Sequence, residues 1–245
     1  MKRAVPSVSH ERKIPEMDYL RADPAKFIVV EGNVGVGKST LVDQLAVERE
    51  RTSSRKCYVL PEPVNKPAFK TLLGRYYPEP ARWGMTFQMY VLKERFKQHT
   101  FAAELAASGI DVVQDRSIYA DGCFGHCVRA DGNMDQEEWD IYADMFGALK
   151  RFLRYPDAML YLRAEPKLCL ERIKERSRKE ECMVQIGYLE RLHDEHEGLA
   201  AAMAHYTRVL VLDWTSFPTN VTDVNNKLNK LLDEKRPFIR DFNSL

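Results

Sequence analysis

The sequence predicts an α/β fold class, with a five-stranded parallel sheet flanked by helices. Two observations carry this prediction: short β-rich runs recur along the chain, and longer segments with helical patterning separate them. That alternation is typical of right-handed βαβ crossovers, which build a parallel sheet. The runs are 27–31, 57–60, 111–114, 158–162 and 208–212. No internal repeat or low-complexity tract interrupts the series, so we expect one domain over residues 26–245.

The composition of the 245 residues narrows the classes of partner. Lysine and arginine total 37 and aspartate and glutamate total 36, which gives a formal net charge of +1. Such a balance provides no electrostatic footprint for a nucleic-acid polymer or an anionic membrane surface. No stretch approaches the roughly 20 apolar residues of a membrane span, so we expect no membrane partner. The odd number of cysteines, 5, favours reduced thiols in a reducing compartment and thus a cytoplasmic location.

Residues 1–25 differ from the rest and predict a flexible N-terminal extension. The segment contains Pro6, Pro15 and Pro24, mixed charges and few apolar residues. It has no apolar core for a secretory signal, and its four acidic residues argue against an organellar transit peptide without excluding one.

The first strand leads directly into the phosphate-binding pattern G-x-x-x-x-G-K-[S/T]. Its glycines let backbone N–H groups turn toward phosphate oxygens, Lys38 brings charge to the terminal phosphates, and Ser39 offers a hydroxyl to Mg²⁺. A strand before the loop and an amphipathic helical pattern after it are the context that this motif requires. We therefore expect a nucleoside triphosphate to bind at Gly32, Asn33, Val34, Gly35, Val36, Gly37, Lys38, Ser39 and Thr40.

Ligands of open parallel sheets bind beyond the carboxyl ends of the strands, so the residue after the second strand is a candidate. Glu62 stands there, between Pro61 and Pro63. Proline restricts its own backbone and that of the residue before it, which holds the carboxylate on a stiff segment. The functional interpretation is a general base that accepts a hydroxyl proton during phosphoryl transfer. The alternative is a loop glutamate in solvent.

The third strand is followed by Asp115, Arg116 and Ser117. A carboxylate at a strand end commonly holds Mg²⁺ in phosphate-loop enzymes, and an arginine beside it can neutralise charge on the transferred group. The alternative is a helix N-cap with an ion pair. The phosphate loop favours the functional interpretation.

A helical segment over 82–107 carries an unusual mixed stripe. Gln88, Val91 and Arg95 share one face by their spacing, and Phe87 is adjacent. An amide and a guanidinium can read the edge of a nucleobase while the apolar side chains supply walls. Arg95 needs a counter-charge, for which Asp121 is a candidate; ordinary core packing is the alternative for the stripe.

The segment 165–181 is rich in both charges, which usually indicates a solvated helix face. Arg172 and Arg176 nevertheless lie at i and i+4 and point the same way, while Arg178 falls off that face. A helix ending in a mobile loop could close as an arginine lid over a triphosphate.

Several stretches together resemble the deoxynucleoside kinases, the family of deoxycytidine, deoxyguanosine and deoxyadenosine kinases. They are GNVGVGKST at 32–40, EPV at 62–64, RWGMTFQMY at 82–90, DRSIYAD at 115–121, CLERIKERSRKEE at 169–181 and YLERLHDEHE at 188–197. The resemblance implies a P-loop kinase fold with an arginine-rich lid at about residues 172–186. Members of this family are commonly dimers, which implies a homodimer.

The resemblance also implies roles for individual residues. Glu62 is the base for the 5′-hydroxyl, Arg116 and Lys38 act at the phosphates, and Asp115 with Ser39 holds Mg²⁺. The acceptor group, with the two walls of the helical stripe included, is Tyr77, Phe87, Gln88, Val91, Arg95, Asp121 and Glu181. The donor group adds Arg172, Arg176, Arg178, Asp213 and Phe217 to the phosphate loop. Within the acceptor group, Tyr77 and Glu181 match the pair that holds the sugar 3′-hydroxyl.

Three departures from the family pattern concern the acceptor. Pro67 stands where many relatives have tryptophan, and Gly122 stands where an arginine often follows the aspartate. The aromatic residue that stacks on the base aligns with Gly125, next to Phe124. These differences imply a roomier or reshaped base site.

The expected function is transfer of the γ-phosphate of ATP to the 5′-hydroxyl of a small-molecule deoxyribonucleoside, with Mg²⁺ as cofactor. The pair of Arg95 and Asp121 implies that deoxyadenosine, deoxyguanosine or deoxycytidine is favoured over thymidine. One alternative is a nucleoside monophosphate kinase, which needs further cationic groups for the acceptor's phosphate. The other is a non-catalytic structural subunit, against which the presence of Lys38, Glu62 and Arg116 argues.

Overall fold

The computed structural model of the protein describes residues 24–178, 183–216 and 220–234. Within these ranges one parallel sheet has the strand order β2-β3-β1-β4-β5. The strands are β1 Phe27–Gly32, β2 Cys57–Leu60, β3 Asp111–Asp115, β4 Ala158–Arg163 and β5 Arg208–Asp213. The predicted five-stranded parallel sheet is confirmed, and each predicted run agrees with its strand to within one residue.

The helices that connect the strands lie on both faces of the sheet. They are α1 Lys38–Ser53, α2 Pro67–Tyr76, α3 Pro80–Ala107, α4 Asp121–Ala130, α5 Gln136–Lys150, α6 Pro166–Arg176, α7 Ile186–Met203 and α8 Val221–Asp233. A short 3₁₀ turn at Pro63–Asn65 follows β2. Among the described helices none is long and apolar enough to cross a membrane.

Strand β1 lies at the centre of the sheet and is buried along its whole length. Its side chains alternate between two cores, as the period of a strand requires. Ile28 and Val30 pack in the core that contains residues of α1, α6 and α8, whereas Phe27 and Val29 pack in the core formed by α3 and α5. Burial on both faces explains the uninterrupted apolar run that predicted this strand.

The turn between β1 and α1 depends on glycine. Gly35 has a φ of 80° and Gly37 has a φ of 105°, a left-handed conformation that other residues rarely adopt. A Cβ atom at Gly35 would also lie 2.6 Å from the carbonyl oxygen of Cys169 in α6. These constraints turn the chain sharply, so α1 begins at Lys38 with its N-terminal N–H groups beside the loop.

Two expected segments fall partly outside the described residues. Of the N-terminal extension, residues 1–23 lie outside the described ranges. Of the expected lid, helix α6 ends at Arg176, and Ser177 follows with a φ of 55°. Residues 179–182, which include Glu181, lie outside the described ranges, as does Phe217.

Candidate active site

A cavity of about 1280 Å³ opens beyond the carboxyl ends of β1, β2 and β3. It contains most of the residues expected at a site, although these are distant in the sequence. From the phosphate loop it is lined by Val34, Gly35, Gly37, Lys38, Ser39 and Thr40. From the other elements it is lined by Glu62, Tyr77, Phe87, Gln88, Val91, Arg95, Asp115, Arg116, Arg172, Arg176 and Arg178. Residues at the carboxyl ends of three strands therefore line one cavity.

The remaining residues of the phosphate loop shape its backbone. Asn33 donates from Nδ2 to the carbonyl of Leu189 at 2.8 Å and accepts from the N–H of Val34 at 2.8 Å. Val36 is buried in the core beneath the loop. Gly32 accepts a hydrogen bond of 2.9 Å from Nη1 of Arg116. These contacts tie the loop to α7 and to the end of β3.

Lys38 is buried and folds back over the loop. Its ammonium group donates to the carbonyl of Asn33 at 2.8 Å and to that of Gly32 at 3.2 Å. Burial, together with the charge of Arg116, lowers the pKa of Lys38 to about 8. The lysine is therefore charged at neutral pH, and the two carbonyls hold that charge where phosphate oxygens would compete for it.

Ser39 and Asp115 form a contact between the loop and β3. The hydroxyl of Ser39 donates to Oδ2 of Asp115 at 2.6 Å. Oδ1 of Asp115 is buried and has no hydrogen-bond partner among the described residues. Burial raises the pKa of Asp115 and the charge of Lys38 lowers it, leaving it above its ordinary value. A hydroxyl beside a carboxylate with one unused oxygen is a donor set that fits Mg²⁺.

Glu62 projects into the cavity from the stiff segment after β2. Its Oε1 lies 3.0 Å from Nε of Arg116 and 3.5 Å from Nη2 of Arg95. Burial alone would raise the pKa of Glu62, but the charges of Arg116, Arg95 and Lys38 together bring it below its ordinary value. The carboxylate is therefore ionised. With 23% of its side chain exposed, it is also accessible from the cavity. The alternative of a loop glutamate in solvent does not describe this position.

Arg116 is held in a strained conformation by its neighbours. Its φ is +67°, unusual for a residue with a long side chain. Nη1 lies 3.4 Å from Nε2 of His196, which comes from α7. Below it, Oε1 of Glu31 accepts from the N–H of Ser117 at 2.5 Å and from its hydroxyl at 2.7 Å. Burial raises the pKa of Glu31, an effect that the charge of Arg116 opposes.

Sequence reasoning missed Glu31 and His196. Glu31 could have been found, because a charged residue at the end of an apolar central strand requires a buried partner. His196 gave no such signal, because the stretch YLERLHDEHE of α7 contains six other residues of the types Asp, Glu, Arg and His. Phe124 lines the cavity, with Arg95 and Arg116 stacked at 4.6 Å and 4.8 Å from its ring centre.

The mixed stripe of α3 meets the start of α4. Asp121 is fully buried and accepts from Nη1 of Arg95 at 2.7 Å, so the expected counter-charge is in place. Nε2 of Gln88 donates to Oδ2 of the same carboxylate at 2.9 Å. The hydroxyl of Tyr142 in α5 donates to Oδ2 at 2.8 Å. Ordinary core packing, the alternative for this stripe, does not explain an amide and a guanidinium that converge on one buried carboxylate.

The glycines that depart from the family pattern lie against α5. A Cβ atom at Gly125 would lie 2.4 Å from Cε1 of Tyr142, and one at Gly122 would lie 3.0 Å from Cε1 of Phe146. Aromatic side chains of α5 therefore occupy the space beside both glycines. The added room expected beside these glycines is therefore not present. Pro67, the third departure, is the first residue of α2.

The expected donor residues outside the phosphate loop fall into two groups. Arg172 donates from Nη1 to the carbonyl of Val36 at 3.0 Å and from Nη2 to the carbonyls of Trp214 and Thr215 at 3.1 Å. Arg176 and Arg178 are exposed and line the cavity. Asp213 accepts from the N–H of Thr215 at 3.0 Å and is not among the residues that line the cavity.

Comparisons with known proteins relate this site to a family. A sequence model described as deoxynucleoside kinase matches residues 28–240. A probable deoxycytidine kinase of Fowlpox virus is 31% identical over 219 residues, covering 88% of this chain and 89% of the relative. A deoxyadenosine kinase of Dictyostelium discoideum is 30% identical over 190 residues, covering 78% of this chain and 73% of the relative.

A solved structure agrees with the fold. A deoxyadenosine kinase from M. mycoides, with the products dCMP and a flexible dCDP bound, has a TM-score of 0.68 and 27% identity to this chain. The match covers 83% of this chain and 98% of that chain, which confirms the expected P-loop kinase fold. The family match extends over most of the sequence and includes every strand exit described above. The chain belongs to the deoxynucleoside kinase family.

Proposed function

We propose that the protein transfers the γ-phosphate of ATP to the 5′-hydroxyl of a deoxyribonucleoside, with Mg²⁺ as cofactor, in nucleotide salvage. Membership of a kinase family implies a nucleotide as phosphate donor; ATP is the donor proposed here. The observation that carries the proposal is the position of Glu62. Its carboxylate shares one cavity with the phosphate loop and lies 3.0 Å from Arg116. The proposed general base, the phosphate loop and an arginine therefore lie close together.

The reaction is an in-line displacement. The 5′-oxygen bonds to the γ-phosphorus while the bond from that phosphorus to the β,γ-bridging oxygen breaks, and the nucleoside diphosphate leaves. The proton of the hydroxyl passes to Glu62, which is ionised at neutral pH because Arg116, Arg95 and Lys38 lower its pKa. Arg116 and Lys38 stabilise the negative charge of the transferred group.

Ser39 and Asp115 would hold Mg²⁺, which when bound neutralises charge on the donor phosphates. The unpartnered Oδ1 of Asp115 and the adjacent hydroxyl of Ser39 support this assignment. The backbone N–H groups of the loop and of the first turn of α1 would bind the phosphate oxygens themselves.

The acceptor would lie between α3 and the start of α4. Gln88 and Arg95 face the cavity with a hydrogen-bonding edge for the base, and Phe87 and Val91 line it as apolar walls. The Arg95–Asp121 pair supports a preference for deoxyadenosine, deoxyguanosine or deoxycytidine over thymidine. Names of the relatives, deoxycytidine kinase and deoxyadenosine kinase, point in the same direction.

The sugar and the donor base would be held by residues at the rim. We assign the 3′-hydroxyl to Tyr77, which lines the cavity, together with Glu181. We assign the triphosphate to a lid at about 172–186 that carries Arg172, Arg176 and Arg178. The segment from Asp213 to Phe217 would lie beside the adenine of the donor.

A panel of acceptors tests the proposed function. ATP labelled in the γ-phosphate is offered with deoxyadenosine, deoxyguanosine, deoxycytidine or thymidine, and with the corresponding monophosphates. We expect label in the 5′-monophosphates of the first three nucleosides at higher kcat/KM than for thymidine. Thymidine as the best acceptor would overturn the selectivity. Label in diphosphates alone would indicate a nucleoside monophosphate kinase, and no transfer at all would indicate a non-catalytic subunit.

We also propose a homodimer and a cytoplasmic location. Ile141 and Met145 are 58% and 43% exposed on α5, and such apolar side chains one turn apart suit a contact between two copies. Light scattering of the purified chain should give about twice the 28.4 kDa of one copy. Cell fractionation of the chain with and without residues 1–25, the proposed flexible extension, tests the location.

A further inference from the structure

Tyr142 is a buried residue in the middle of α5, with 1% of its surface exposed. Its ring stacks on Phe146 at 5.9 Å and contacts Trp139 at 5.6 Å, so the three aromatic side chains form one ridge. The absence of a side chain at Gly125 lets this ridge approach α4 closely, and a Cβ atom there would lie 2.7 Å from the hydroxyl of Tyr142.

The hydroxyl of Tyr142 contacts Asp121. It donates to Oδ2 at 2.8 Å and lies 2.9 Å from the backbone carbonyl oxygen of Asp121. Tyr142 is not among the residues that line the cavity. Any effect of this tyrosine on the acceptor must therefore pass through Asp121 or through Gln88, with which its hydroxyl also interacts.

The partners of Asp121 determine how Gln88 presents its amide. Oδ1 is taken by Arg95, and Oδ2 is shared by the amide nitrogen of Gln88 and the hydroxyl of Tyr142. Nε2 of Gln88 also lies 3.2 Å from the backbone carbonyl oxygen of Asp121. The carboxylate that pairs with Arg95 and this carbonyl both accept hydrogen bonds, so Gln88 turns its NH₂ group toward Asp121. Its carbonyl oxygen is then the group left for a base.

We infer that Tyr142 is a positioning residue that sets base selectivity, because it fixes the amide of Gln88 through Asp121. This inference rests on the proposed function. With the amide fixed, the carbonyl oxygen of Gln88 is the acceptor and the guanidinium of Arg95 is the donor along the edge of the site. A base with an amino group beside a ring nitrogen, as in deoxyadenosine and deoxycytidine, presents the reverse order of a base with a carbonyl beside a ring N–H, as in thymidine. Deoxyguanosine also carries a carbonyl beside a ring N–H, so the inference concerns only deoxyadenosine and deoxycytidine against thymidine.

Loss of the hydroxyl should release this constraint. Asp121 would retain Arg95 but lose one of two donors at Oδ2, and the space beside Oδ2 would allow the carboxylate to rotate. Gln88 would then be held less firmly in place, although its NH₂ group would still face the two acceptors of Asp121. Discrimination between the two orders of acceptor and donor would fall, since a mispaired polar group in a buried site is what rejects the wrong base.

The test compares Tyr142→Phe with Tyr119→Phe. Tyr119 is also buried, but its hydroxyl has no hydrogen-bond partner among the described residues, so its removal is a matched control. We expect Tyr142→Phe to reduce the ratio of kcat/KM for deoxycytidine to that for thymidine on the order of tenfold. The change should lie in the KM for the nucleosides, with the KM for ATP unchanged. Tyr119→Phe should leave the ratio as in the wild type.

A second pair of variants tests the inference without removing the hydroxyl. Gly125→Ala places a methyl group against the ring of Tyr142, whereas Gly147→Ala places one in open space on α5. We expect only Gly125→Ala to reduce the selectivity ratio. An unchanged ratio in both Tyr142→Phe and Gly125→Ala, in a wild type that phosphorylates nucleosides, would overturn the inference alone. A wild type that phosphorylates no nucleoside would overturn the proposed function and the inference with it.

Discussion

The two halves of the cavity are built in different ways. The half that we propose for the phosphates, the phosphate half, uses one continuous stretch, Gly32 to Thr40, whose functional groups are mostly backbone N–H groups at a helix start. The half that we propose for the nucleobase, the base half, depends on side chains from three helices, because Asp121 behind it joins Gln88, 33 residues earlier, to Tyr142, 21 residues later. A short motif can specify the first arrangement. The second exists only when α3, α4 and α5 have packed.

Glu62 lies where the two halves meet, and its removal should have the largest effect. Glu62→Gln keeps the shape and one acceptor oxygen but cannot accept the proton of the 5′-hydroxyl. We expect kcat to fall by about 10²–10⁴-fold, measured in steady state at saturating nucleoside and ATP. The KM values should change much less, because the reacting groups still bind.

Glu94→Gln is a suitable control for that experiment. Glu94 is a buried carboxylate paired with Lys66 and Lys93, and it is not among the residues that line the cavity. Its substitution should leave kcat within a few-fold of the wild type. Full turnover of Glu62→Gln would show that another group takes the proton.

The phosphate half can be weakened on its own by Asp115→Asn. The amide retains a carbonyl oxygen for Ser39 or for Mg²⁺ but removes the negative charge. We expect the Mg²⁺ concentration for half-maximal activity to rise by about 10–100-fold, measured by titration of Mg²⁺ at fixed ATP and nucleoside. Asp140→Asn, an exposed aspartate of α5, provides the control. An unchanged Mg²⁺ requirement would contradict the assignment of Asp115.

The difference between the two halves of the cavity also explains which features could be predicted from the sequence. The strands were predicted to within one residue because burial on both faces gives uninterrupted apolar runs. The phosphate loop, Glu62 and Asp115 were candidates because each lies at or just after the end of a strand, and the carboxyl ends of parallel strands lie at one edge of the sheet. The Arg95–Asp121 contact was anticipated because a buried arginine requires a counter-charge.

Residues that act from behind the site gave no comparable signal. In the sequence, Tyr142 belongs to an apolar stripe with Trp139 and Phe146, which reads as core packing. Its role depends on two glycines of α4 that admit the ridge, and on a hydrogen bond that closes only in the folded chain. Gly125 was therefore interpreted as added space, although Tyr142 occupies it. A glycine creates free space only where no neighbouring side chain can fill the position.

The pH dependence of the two KM values should separate the halves again. The pKa of Lys38 is lowered to about 8, first by burial and then by Arg116, so its charge is lost as the pH rises through that value. One pH unit above a pKa only about a tenth of the group is charged. The KM for ATP should therefore rise by up to about tenfold between pH 7 and pH 9.

The KM for the nucleoside serves as the internal control for that measurement. The pKa of Glu62 is lowered by Arg116, Arg95 and Lys38 despite its burial, so this carboxylate is ionised throughout the range. The nucleoside KM should stay nearly constant from pH 7 to pH 9. Parallel changes in both KM values would contradict a separate titration of the phosphate half.

The smallest effect is expected at His196, which supports Arg116 between the two halves. Its Nδ1 donates to the carbonyl of Leu192 at 2.7 Å, so the lone pair of Nε2 is free to accept from Nη1 of Arg116 at 3.4 Å. Burial and the charge of Arg116 hold the pKa of His196 well below its ordinary value, which keeps the ring neutral. His196→Phe should lower kcat by about 2–10-fold, the effect of losing one hydrogen bond.

His99→Phe separates this effect from a general loss of stability. His99 is equally buried but donates to the carbonyl of Arg154, and it is not among the residues that line the cavity. Thermal unfolding should show both variants destabilised, whereas only His196→Phe should lower kcat at a temperature where both are folded. Because Arg116 touches both Glu62 and the loop carbonyl of Gly32, loss of its support should affect kcat more than either KM. Equal kcat values in the two variants would show that His196 contributes to core packing and not to the position of Arg116.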